Sequence, residues 1–292
     1  MAGMRRGLSA SLWILSAVIC AAEAAADQMP PDPPGALRSA PAAIQPSETS
    51  GLVDAHQSPV IGAPQGERAV SWKLLVPNLL HDQKQIWTFP AQVATGKHWK
   101  PTLGFVAATA GLVALDPSDS PYFRHTSTYR EFNQVFSSRN TALATVAVPA
   151  GFYAVALARR RPYDQHTSLL LGEAVLDSEL LTQIMKSADR RLRPGDVPSN
   201  QGFSDTFFAD RGGGVLSGRG SFPSGHEIAA FSVATVLANR YARHRWVPWV
   251  AYGLAGIVGF SRVSLQSHFT SDVFAGAVLG YAISHYVVLQ QR

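Results

Sequence analysis

The 292 residues carry 25 Lys and Arg against 20 Asp and Glu, a formal charge of +5, with 46% hydrophobic residues and a single cysteine. Cys20 alone excludes an intrachain disulfide, so stability has to come from packing, and the length allows a core of useful size. The basic balance, with a pI near 9.5, suits anionic partners such as phospholipid headgroups or phosphorylated molecules. No basic stripe with interleaved aromatics occurs, and no nucleic-acid partner is expected.

Residues 1–26 begin with Arg5 and Arg6, run through an apolar core from Leu12 to Ala22 and end in small residues, the layout of a signal peptide or N-terminal anchor. Export would place the protein in the cell envelope, facing the periplasm. A lipoprotein cysteine at Cys20 fits poorly, because bulky Ile19 precedes it. Residues 27–70 are rich in Pro, Ala, Ser and Gln and are expected to be a disordered linker, which leaves residues 71–292 as the folded domain.

An amphipathic segment at Leu75 to Trp87 opens the domain, with Pro90 just beyond it. Strongly apolar segments follow at Thr102 to Leu115, Thr141 to Ala158, Ser168 to Met185, Glu227 to Tyr241, Trp246 to Phe260 and Thr270 to Leu289. With few alternating β patterns and no fixed repeat, they predict an all-α fold, a compact bundle of about six core helices. Asp116 to Arg139 reads as a polar excursion with helical turns, and Gly195 to Phe222 as a long connection that shapes substrate access. Gly212-Gly213-Gly214 in that connection lacks the strand and the Gly-Lys-Ser/Thr of a P-loop.

Most of the apolar segments hold about 14 to 18 residues, short of the roughly 20 that span a bilayer, and mean hydropathy is only +0.03. On that ground a soluble or peripherally bound domain is favoured over an integral one. The clusters at Arg159 to Arg161 and at Arg240, Arg243 and Arg245 nonetheless fit the cytoplasmic side of a spanning layout.

Three blocks near the C-terminus concentrate chemistry: Lys186-x6-Arg193-Pro194, Pro223-Ser224-Gly225-His226 and Ser261-Arg262-x5-His268-x3-Asp272. Three cations, two histidines and a carboxylate fall within 87 residues, a set suited to a phosphoryl group, whose charge in transfer is spread over three oxygens. Lys186 and Arg193, seven apart, are expected on one face of a helix that Pro194 helps to end. Ser224 reads as an N-cap, Gly225 allows close backbone approach, and the free N–H groups of that turn can bind an anion. His268 and Asp272, four apart, place a carboxylate beside an imidazole. The six-residue offset from Arg262 to His268 predicts that one helix ends near Arg262 and another starts near His268.

Other charged residues read as ordinary. Glu173, Asp177 and Glu179 are expected to pair with Lys or Arg, and Asp189, Arg190 and Arg191 to lie on a solvated face. His81, His98, His125, His166, His244 and His285 have no motif around them.

Taken together, the three blocks resemble the signature of the type 2 phosphatidic acid phosphatase and vanadium haloperoxidase superfamily, K-x6-R-P, P-S-G-H and S-R-x5-H-x3-D, with every position filled. The resemblance is strong from about Ser168 to the C-terminus and looser from about Trp72. It implies a helical phosphatase in which His268 takes the phosphoryl group, Asp272 orients it and His226 protonates the leaving oxygen. Lys186, Arg193, Ser224, Gly225 and Arg262 would hold the nonbridging oxygens. Three fixed cations supply the charge that a metal would otherwise bring, so no metal cofactor is expected, and vanadate would act as an inhibitor. The implied substrate is a phosphomonoester or diphosphate, on a lipid or a small molecule. Two alternatives stand: a vanadium-dependent haloperoxidase with vanadate as cofactor, disfavoured by the modest chain length, and a non-catalytic envelope scaffold, disfavoured by the intact constellation.

Overall fold

A computed structural model describes residues 68–209 and 220–290. The expected signal segment, the linker up to residue 67 and Gly212-Gly213-Gly214 lie outside the described residues. Eight α-helices follow one another among those described: α1 (Leu75–Ala94), α2 (Trp99–His125), α3 (Arg130–Val135), α4 (Ser138–Ala158), α5 (Pro162–Asp189), α6 (Gly225–Arg240), α7 (Trp246–Ser264) and α8 (Thr270–Ile283), the last continued by a π-turn at Ser284–Val288. The described fold is all-α, as the apolar periodicity predicts, and no strand occurs among the described residues.

The central element is α6, which packs against α5, α7 and α8. Its buried Ile228 and Val236 meet Leu170, Leu171 and Leu181 of α5 in the main core, with Ile283 in α8's last turn also contributing. Small residues set the spacing. A Cβ on Gly280 would lie 2.2 Å from the Ile228 carbonyl oxygen, and one on Gly276 would lie 2.8 Å from the Ser224 carbonyl oxygen. The backbones of α6 and α8 therefore approach more closely than any larger residue allows. Between α5 and α6 the Ser178 and Ser232 hydroxyls are 2.6 Å apart.

Two of the boundaries that differ from expectation bear on the site. The helix expected to end at Leu115 runs on to His125 through Pro117 and Pro121. Proline removes a backbone donor and kinks a helix, but Asp116 and Ser120 are buried, and Asp116 is fastened by Arg191 at 2.6 Å. Tertiary contacts hold the turn that propensity alone would break. The second difference concerns α5, which stops at Asp189 with Arg190 in the left-handed conformation. Asp189 Oδ1 accepts a bond from the Arg191 N–H at 2.8 Å, an Asx turn that ends the helix four residues before Arg193. Arg193 thus lies in the extended segment that follows, not on the helical face with Lys186.

Residues 68–70, assigned by sequence to the linker, are packed on the bundle. Val70 joins the core, and Arg68 bridges Asp82 at 2.6 Å and Glu173 at 3.0 Å. Asn78 donates to Glu173 and Gln83 to Asp177, each at 2.8 Å, so the buried acids of α5 are partnered by α1 and the segment before it. Glu179 accepts instead from Gln183.

The outer surface is apolar over long stretches. Leu143 and Val146 of α4, Trp249 and Val250 of α7, and Leu103, Val106 and Leu115 of α2 are all exposed. Ser138–Ala158 and Thr270–Val288 are long and apolar enough to cross a membrane. The preference for a soluble or peripheral domain finds no support in this surface, because an exposed apolar belt of this extent is a lipid or partner surface.

Candidate active site

One end of the bundle collects the three blocks. The N-termini of α4, α6 and α8 open there, while Lys186 sits in the last turn of α5 and Arg262 in the last turn of α7. The dipoles of three helix N-termini add positive potential to that of the side chains. The opposite end holds the α4–α5 and α6–α7 turns, where Arg240 stacks 3.9 Å over Tyr163.

Lys186 is buried, and its Nζ is 3.3 Å from the point where a Cβ on Gly225 would stand. Glycine keeps that space open. Ser224 occupies the N-cap of α6, but its side chain makes no capping bond. Its hydroxyl is fully buried and has no hydrogen-bond partner among the described residues. The Ser224 N–H donates to the Asp272 carbonyl at 3.0 Å, tying α6 to α8. The expected N-cap is therefore in place by position and unused as a cap, which leaves both the hydroxyl and the first-turn N–H groups for an anion.

Arg262 is completely buried; its guanidinium donates to Ser138 Oγ at 3.1 Å, to Thr141 Oγ1 at 3.0 Å and to the Phe136 carbonyl. His226 Nε2 is 3.0 Å from the Ser138 carbonyl. The start of α4 therefore positions both groups. His226 lies within electrostatic range of Arg262, His268 and Lys186, and Lys186 within range of Arg193 and Asp272. All eight residues singled out by sequence share this end of the bundle.

Residues 165–292 match the PAP2 superfamily. The lipid A 4'-phosphatase of Porphyromonas gingivalis is 27% identical over 120 residues, 41% of this chain and 48% of that one. Phosphatidylglycerophosphatase B of Bacillus subtilis is 32% identical over 109 residues, 35% and 46% of the two chains. The lipid A 1-phosphatase of Rhizobium etli is 30% identical over 134 residues, 45% and 54% of the two. The chain thus spans about half the length of these curated relatives. A solved transmembrane PAP2 type phosphatidylglycerolphosphate phosphatase from Bacillus subtilis superposes with a TM-score of 0.43 at 22% identity, covering 64% of this chain and 91% of that one.

The electrostatics of this site follow from burial among cations. Burial, with Lys186 and Arg193 adding to it and Asp272 opposing, lowers the His268 pKa to about 4. Burial, reinforced by Arg262, His268 and Lys186 against the Ser138 carbonyl, lowers that of His226 to about 4. Both rings are neutral at pH 7. Lys186 is also lowered, first by burial and then by Arg193.

The contact between His268 and Asp272 differs from the simple pair expected. His268 Nδ1 is 2.7 Å from the Ser221 carbonyl and 3.6 Å from Asp272 Oδ2. The Asp272 carboxylate is committed elsewhere: Oδ1 to Arg191 at 2.5 Å, and Oδ2 to the Ser221 hydroxyl at 2.6 Å and the Phe269 N–H at 2.9 Å. It caps α8 and holds Ser221, and Ser221 holds the imidazole.

The solvated face expected at Arg191 is contradicted, since this side chain is 1% exposed. Its neighbours Asp116, Ser221 and Ser271 also belong to this site, and sequence reading passed over all four. Ser221 had a faint signal two residues before Pro223; Asp116 had none, because only the extension of α2 brings it here.

Proposed function

We propose that this chain is a metal-independent phosphatase that hydrolyses a lipid phosphate, monoester or diphosphate, through a phosphohistidine on His268. The observation that carries the reading is the buried, unpartnered Ser224 hydroxyl at the uncapped N-terminus of α6, beside Lys186 and Gly225. A buried hydroxyl without a partner costs stability, and a phosphate oxygen satisfies it together with the N–H groups around it.

The Ser221 carbonyl holds the proton of His268 on Nδ1, so the lone pair stands on Nε2, and the depressed pKa keeps it there at neutral pH. Nε2 attacks phosphorus as the ester oxygen departs, forming the N–P bond while the P–O bond breaks. His226 gives that oxygen a proton. With its Nε2–H donated to the Ser138 carbonyl, Nδ1 is the nitrogen that gains and loses the catalytic proton. A bound phosphate dianion offsets the cations that depress His226, so this ring becomes an acid when substrate is present. Water, deprotonated by His226, then attacks the phosphohistidine and returns His268 to its starting state. Lys186, Arg193, Arg262 and the Ser224 and Gly225 donors stabilise the charge on the equatorial oxygens.

The relatives named as lipid A and phosphatidylglycerol phosphate phosphatases support a lipid substrate. So does the apolar outer surface, which we read as lipid-facing, with Ser138–Ala158 and Thr270–Val288 crossing the bilayer. The basic turns at the far end orient the site outward, toward the periplasm. Trapping the phosphoenzyme with a radiolabelled lipid phosphate and finding acid-labile, base-stable label in wild type and none in His268→Ala supports the phosphohistidine. Label retained in the variant refutes it.

A further inference from the structure

One buried cation in this end of the bundle is left out by the three motif blocks. Arg191 is buried between α2, α8 and the segment at Thr206: Nη1 donates to Asp272 Oδ1 at 2.5 Å and to Ser271 Oγ at 2.7 Å, Nη2 to Asp116 Oδ2 at 2.6 Å, and Nε to Thr206 Oγ1 at 3.2 Å. Its guanidinium carbon stands 4.1 Å from the centre of the Phe269 ring and 4.4 Å from that of Phe207. Ser271 closes the arrangement by donating its hydroxyl to Asp116 Oδ2 at 2.5 Å and its N–H to Asp116 Oδ1 at 3.2 Å.

Resting on the phosphohistidine reading above, we propose that Arg191 is a positioning residue shared between Asp272 and Asp116, and that this sharing sets how much negative charge Asp272 presents to His268. The chemistry is that of one permanent cation between two carboxylates. A guanidinium does not lose its proton in a protein, so Arg191 neutralises a fixed unit of charge, and Asp116 on α2 competes with Asp272 for it. Asp272 Oδ2 is only 3.6 Å from His268 Nδ1, near enough for that balance to govern whether the imidazole stays neutral and nucleophilic.

The other charged groups that face His268 are Lys186 of α5, Arg193 of the extended segment after it and His226 of α6. They are unchanged by substitution at Arg191 or Asp116. The two substitutions therefore act in opposite directions. Arg191→Met leaves Asp272 uncompensated and favours imidazolium, whereas Asp116→Asn removes an anion and frees Arg191 for Asp272 alone. A purely structural role for Arg191 produces no such opposition.

The test follows the His268 titration by NMR of histidine-labelled protein in detergent, together with the acid limb of the pH dependence of kcat/KM on a lipid phosphate. Expected are an upward move of about one pH unit or more in Arg191→Met, a smaller downward move in Asp116→Asn, and a limb close to that of wild type in Arg191→Lys, which keeps the charge. Shifts of the same sign in the first two variants, or no shift in either, overturn the proposal. Should Arg191→Met fail to fold, Asp116→Asn decides alone: a downward shift supports it, and an upward or absent shift overturns it. Opposed NMR shifts in a protein that releases no phosphate uphold the charge balance and sink the phosphatase reading.

Discussion

Ser224 gives the sharpest test at the scale of single residues. Its hydroxyl makes no bond within the described protein, so Ser224→Ala is expected to leave the melting temperature unchanged or raise it while weakening inhibition by vanadate roughly 10- to 100-fold, the worth of one hydrogen bond to a charged group. A fall in melting temperature with unaltered vanadate inhibition would assign the hydroxyl to the fold instead. The histidines give a second test. His226 and His268 are lowered from 6.5 to about 4, so between those values the unfolded chain binds protons that the folded one does not. Stability is therefore expected to be full above pH 6.5 and to fall as the pH drops toward 4, read by thermal unfolding across that window. The eight motif residues were legible because they fill the three signature blocks of the superfamily that the sequence resembles. Arg191 was not, because its burial follows from the left-handed turn at Arg190 and the length of α2, both settled by contacts distant in sequence.

At the scale of elements, the approach of α6 to α8 rests on glycines that a side chain would displace. Gly280→Ala would bring a methyl group to 2.2 Å from the Ile228 carbonyl oxygen, against helix backbone that cannot yield locally. A loss of about 1 to 3 kcal/mol is expected, measured by denaturant unfolding in detergent, together with lower turnover, because α6 carries Ser224 and His226 while α8 carries Asp272. Stability equal to wild type would show that the helices slide freely. The break between Arg262 and His268 was readable from a six-residue offset that no single helical face accommodates, and the structure places it at residues 265–269. The end of α5 was not readable: Lys186 and Arg193 have helical spacing, and only the Asx turn at Asp189 puts Arg193 in an extended segment.

Over the whole molecule, the fold class was written in the apolar periodicity and the membrane relation was not. A mean hydropathy of +0.03 averages the apolar bundle with a Pro- and Gln-rich N-terminal stretch and with basic turns, which conceals the belt on α2, α4 and α7. Orientation is testable through the single native cysteine. In a Cys20→Ser background, a cysteine replacing exposed Asn200 near the site end is expected to react with an impermeant maleimide added to intact cells, and one replacing exposed Arg243 in the α6–α7 turn only after lysis. The reverse pattern would turn the site toward the cytoplasm. The most direct measurement of the central claim is phosphate release from a lipid phosphate by the purified protein in detergent with EDTA present, for wild type and His268→Ala. Release by wild type and none by the variant is the expected result; release that depends on added metal, or that survives loss of His268, would contradict a metal-independent histidine phosphatase.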